Sequence, residues 1–102
     1  MMGTLELYLT KLESEGFLKK EKIGIDQVRA LLMSAAKNII ASEKNLSIDE
    51  EACYTLAYNA TLRTARALVF LQSYRPSDGR QHMTTIEVAG TILGSEFRDV
   101  VA

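Results

Sequence analysis

Between residues 60 and 86 the chain carries four arginines, Arg63, Arg66, Arg75 and Arg80, and a single acid, Asp78. Its only histidine, His82, lies in the same stretch. A guanidinium grips phosphate through a planar fork of donors, and an imidazole gives and takes protons near neutral pH. Together they suit a phosphate-bearing ligand, with His82 as a candidate general base and Arg75 among the candidate anion-contacting groups. Six residues separate Arg75 from His82. Arg63, Arg66 and Arg80 are candidate phosphate contacts. The plainer alternatives stay open: His82 as a helix-end packing residue, and Arg75 as a surface arginine beside a turn.

Other catalytic patterns are missing. The chain has no glycine-rich phosphate loop, no Ser-His-Asp order and no His-Glu zinc helix. With one cysteine, Cys53, and one histidine, neither an internal disulfide nor a Cys/His metal site is expected, and no cofactor is implied. Cys53 reads as a small core residue. The acids Asp49, Glu50 and Glu51 fit the first turn of a helix, where the dipole favours them, without a metal.

The elements that position these residues are helical throughout. Leu5, Tyr8, Leu9 and Leu12 set a first helix over 4–15, ended by Gly16. The alternating charges of Lys19, Lys20, Glu21 and Lys22 read as a solvated connection. Asp26 is expected to cap a second helix over 26–43. Ser47-Ile48-Asp49-Glu50 has the form of a capping box with Ser47 as cap, opening a third helix that runs to about residue 73 without Gly or Pro. Two apolar stripes on that helix mark it as central in a bundle. Tyr54 and Tyr58 read as core or bundle-edge residues and not as base-stacking platforms.

Pro76 and Gly79 then signal a loop, and Asp78-Gly79-Arg80-Gln81 offers a second capping box. The spacing predicts a fourth helix from about residue 79 to Gly94, with His82 in its first turn, and a short fifth over 96–101. Strand signals are poor everywhere. The expectation is one all-α domain over 1–102, an antiparallel up-and-down bundle of four to five helices.

Composition sets the outer bounds. The chain has 102 residues, 47% of them hydrophobic and 25% charged, which suits a single globular core. A formal net charge of −1 gives no global pull toward nucleic acid or anionic lipid, so the basic cluster is a local feature. With no signal-like start and no long apolar run, a cytoplasmic protein with no membrane contact is expected. No helix pair carries a basic recognition face for DNA.

The run Ala57-Tyr58-Asn59-Ala60 through Ala65-Arg66-Ala67-Leu68, followed by Gln72-Ser73-Tyr74-Arg75-Pro76-Ser77-Asp78-Gly79-Arg80-Gln81-His82, resembles the HEPN family. There an alanine-rich central helix with an early tyrosine leads through a loop into a His-bearing helix. The loop is similar to the glycine-tyrosine-arginine-proline loop of some prokaryotic members, with Gln72-Ser73 where glycine is common. The likeness covers about half of the chain, roughly residues 46 to 93. It implies RNA as the target and, in many members, metal-independent cleavage in which the RNA 2′-hydroxyl attacks the adjacent phosphate. It implies Arg75 and His82 as the signature Arg–spacer–His pair, although Pro76 stands where the family usually has a polar residue. It further implies a homodimer, here expected through a face including the fourth helix, and a nucleotidyltransferase-like antitoxin as partner. The rival expectation is a non-catalytic helical module that binds a nucleotide or such a partner protein.

Overall fold

A computed structural model describes residues 3–77 and 81–93. It is mostly helical, with four packed helices and one small sheet: α1 (Thr4–Ser14), β1 (Leu18–Lys20), α2 (Ile25–Asn45), α3 (Glu50–Leu71), β2 (Tyr74–Pro76) and α4 (Gln81–Leu93). The expected capping box at 78–81 and the fifth helix at 96–101 lie outside the described residues.

The first helix stops where the sequence places its stop. Gly16 takes φ +84, and the Phe17 amide reaches back to the Leu12 carbonyl at 3.0 Å, closing the last turn with a left-handed glycine. That reversal feeds directly into β1, where the sequence suggested only a charged connection. β1 pairs antiparallel with β2, with Leu18 opposite Pro76, Lys19 opposite Arg75 and Lys20 opposite Tyr74. The expectation of an all-α chain is corrected by this ribbon. Three-residue strands are too short to show a period of two, and each strand's partner lies far along the chain. Pro76 is tolerated because a two-stranded ribbon has only edge strands.

Two helix starts also differ from expectation. The capping residue of α2 is Gly24, in extended geometry, so Asp26 falls within the first turn instead of capping it. For α3 the cap is Asp49, not Ser47: its carboxylate accepts from the Glu51 and Ala52 amides at 3.1 and 3.2 Å. The reason lies in the turn before it. Leu46 keeps helical dihedrals, and the Ile48 and Asp49 amides still bond the Asn45 carbonyl. The chain turns extended only at Asp49, and a cap needs that geometry.

α3 is central, as its two stripes suggested: it packs along α2 on one side and against α4 and β2 on another. The main core joins Leu9, Leu12, Leu18, Val69, Tyr74 and Val88, so one cluster ties α1, the ribbon, α3 and α4. A smaller cluster of Val28, Ala67 and Phe70 seats the start of α2 on α3. Cys53 is a free thiol 3.2 Å from the Ser42 hydroxyl, which also donates to the Cys53 carbonyl at 2.9 Å. It joins the two helices where they run alone.

Candidate functional site

Arg63 and Arg66 stand three residues apart on α3, and so emerge on neighbouring positions of one helix face. Arg75 sits in the middle of β2, and His82 is exposed in the first turn of α4. Arg80 lies outside the described residues. The helix and the ribbon thus deliver the basic groups from three directions onto one side of α3.

Two clefts result. The larger, about 420 Å³, lies between α2, α3 and the ribbon; Arg66, Arg75, Gln27, Ser34 and Gln81 supply its polar lining, and Leu31, Phe70 and Pro76 its apolar walls. The smaller, about 200 Å³, is lined by Asn59, Leu62, Arg63, Arg66 and His82. Arg66 belongs to both. His82 is therefore brought together with Arg63 and Arg66, and Arg75 with Arg66, but Arg75 and His82 open into different clefts.

The arginines differ in how far they are already engaged. Arg75 donates through Nε to the Glu21 carboxylate at 2.8 Å, and its guanidinium lies over the Phe70 ring at 5.0 Å. Glu21 follows β1, where its amide bonds the Ser73 carbonyl at 2.9 Å. It reaches Arg75 because the ribbon register sets Lys19 opposite Arg75, and it offsets that like-charge pairing. Arg63 donates to the Asn38 side-chain oxygen on α2. Among the described residues, Arg66 and His82 make no side-chain hydrogen bond or ion pair.

Glu21, Asn38 and Asn59 escape sequence reasoning. Glu21 is 54 positions from Arg75, and Asn38 is 25 from Arg63. No local spacing signals either contact. The loop before Arg75 is more readable in retrospect. Ser73, directly before Tyr74, takes φ +64, a left-handed conformation that glycine adopts most easily. Among the described residues no cluster of His, Cys, Asp or Glu could hold a metal ion, and no helix is long and apolar enough to cross a membrane.

No family model, no curated protein and no solved structure matches the chain. Chemically, the small cleft offers two guanidinium groups and an imidazole around a space that fits a phosphate group. The large cleft offers apolar walls and amide side chains next to Arg66. A polyanion crossing from one to the other would meet Arg66 in the middle.

Proposed function

We propose that this is a HEPN-like, RNA-directed domain whose phosphate-contacting centre is Arg66. The supporting observation is the position of that one side chain, shared by two clefts and unengaged among the described residues. An RNA strand lying across α3 would place one phosphate between Arg63, Arg66 and His82, with its neighbour toward Arg75. Double-stranded RNA hides its base edges in a deep, narrow major groove, so a single strand is the target of this reading.

In the catalytic form of this reading, His82 takes the proton of a 2′-hydroxyl as that oxygen attacks the adjacent phosphorus. The bond to the 5′-oxygen breaks, that oxygen takes a proton from water, and a cyclic phosphate and a 5′-hydroxyl remain. Arg66 and Arg63 face the phosphorane charge, and Arg80 is retained as a further phosphate contact. Arg75, locked to Glu21, guides the strand. A homodimer and a nucleotidyltransferase-like antitoxin belong to the same proposal, as do a cytoplasmic location, where RNA is at hand, and an antiparallel up-and-down order of helices, supported by the short connection at 46–49.

The engagement of Arg75 by Glu21 and Phe70 favours the second reading, a module that binds RNA or a nucleotide without cutting it. One experiment separates the two. A mixed single-stranded RNA pool is incubated with the protein in EDTA, beside His82→Ala and Arg66→Ala. Cleavage with cyclic phosphate ends, lost in His82→Ala, supports the catalytic form. Binding without cleavage, with affinity and salt slope both reduced in Arg66→Ala, supports the module. A folded protein that neither binds nor cuts RNA sinks both.

A further inference from the structure

α2 buries one narrow seam, Val28, Ala35 and Ser42 at seven-residue intervals, against α3. Beside it a second face is left uncovered by the described residues. Ile25, Leu32, Met33, Ile39, Ile40 and Leu46 are each between 44% and 64% exposed. At about 100° per residue, Ile25, Leu32, Ile39 and Leu46 form one row and Met33 and Ile40 another, and the line Arg29, Ala36, Glu43 runs between the rows. Six large side chains exposing about half their surface leave on the order of 600 Å² of apolar area on one helix, close to the ~800 Å² per partner of a standard interface. α4, by contrast, exposes one large apolar side chain among the described residues, Met83.

The pattern on this face is self-complementary. We infer that the face binds a second copy of the chain, α2 against α2, antiparallel about a two-fold axis at Ala36. A two-fold axis there keeps each row opposite its own row with direction reversed. Leu32 then meets the partner's Ile39, Met33 meets the partner's Ile40, and Ile25 meets the partner's Leu46. Ala36 faces the partner's Ala36, and its small side chain permits close approach of the helices. The charges agree with the same register. Arg29, 3.5 Å from Asp26 on its own helix, lies level with the partner's Glu43, and Asp26, on the rim, lies about 3 Å along the axis from the partner's Lys44. Lys37 lies about 100° round from Ala36 and stays outside the contact. In a parallel pair, Arg29 would face Arg29 and Glu43 would face Glu43, so charge selects the antiparallel arrangement.

The inference rests on the pattern of α2 and not on the RNA reading, and it places the homodimer on α2 instead of a face including the fourth helix. Gln27, Leu31 and Ser34, which line the larger cleft, lie on the far side of α2 from Ala36. Both clefts remain open in this dimer and look outward in opposite directions, so neither copy completes the other's site.

The test is the mass of the full chain in solution by sedimentation equilibrium, up to about 100 μM. The wild type is expected to dimerise. Ile39→Glu, at an exposed position, should weaken the dimer ~100-fold or more while leaving helical circular dichroism unchanged. Arg29→Glu and Glu43→Arg should each weaken it, and the double reversal should restore it. With Cys53 replaced by Ser, Ala36→Cys should form a covalent dimer on mild oxidation and Ala30→Cys should not. A wild type that stays monomeric, as it would if something else covers this face, overturns the inference. So does a dimer indifferent to Ile39→Glu, or one in which Ala30→Cys links faster than Ala36→Cys.

Discussion

The two ends of this molecule are built on different principles. At one end, α1, the ribbon, the C-terminal half of α3 and α4 share one core, with Leu18, Val69 and Val88 almost wholly removed from water. The chain crosses itself there: the Ser77 hydroxyl bonds the Gly16 carbonyl at 2.9 Å, and the Tyr74 hydroxyl approaches Glu13. At the other end, the C-terminal half of α2 and the start of α3 pack, among the described residues, only on each other. Their contact uses small residues, Ala35, Ser42 and Ala60, while Leu46, Ile48 and Tyr54 face solvent. Tyr54 stacks on Tyr58 at 6.2 Å along the same helix. Stability is thus concentrated where four elements meet, and the free end keeps its apolar surface available for association.

Substitutions at the two ends should separate them. Leu9→Ala, in the shared core, should cost about 2–5 kcal/mol in a urea melt, whereas Ile48→Ala at the bare end should stay within about 0.5 kcal/mol. Comparable costs at the two sites would dissolve the contrast. Asp49→Ala removes the cap of α3 at the free end and should cost about 1 kcal/mol. Its signature should be local, with amide exchange accelerating around 49–54 and not in α4. The smallest effect is expected at the ribbon. Ser73→Gly relieves a left-handed serine and should stabilise by roughly 0.5 kcal/mol, the relief being partly offset by the entropy glycine loses on folding. A loss of stability there would mean that the serine is held by something other than its backbone geometry.

Much of this was legible in the sequence, for particular reasons. α2 and α3 have long 3.6-residue patterns, and Gly16 punctuates α1 without ambiguity. The cap of α3 was harder, because both Ser47 and Asp49 are good capping types. The choice was made by a turn of backbone that continues past Asn45, which side-chain chemistry does not encode. The ribbon left no trace because Leu18 runs straight into Lys19, Lys20 and Glu21 and Tyr74 lies between Ser73 and Arg75, and only their meeting makes them a core. The site was legible as a cluster of cations and obscure as an arrangement. Which arginine is already engaged depends on Glu21 and Asn38, and those contacts follow from the ribbon register and from how α2 seats on α3.

The ribbon also imposes an order of events on a chain made from its N-terminus. α2 and α3 are adjacent in sequence and close on one another with little loop entropy. β1 emerges early but finds its partner only after residue 76, so Leu18 and the apolar face of α1 stay without a core until the whole of α3 has been synthesised. α1 and β1, made before the two long helices, are therefore among the last to settle. During that interval the bare hairpin offers its surface to whatever is nearby, and another nascent copy on the same message is a ready candidate.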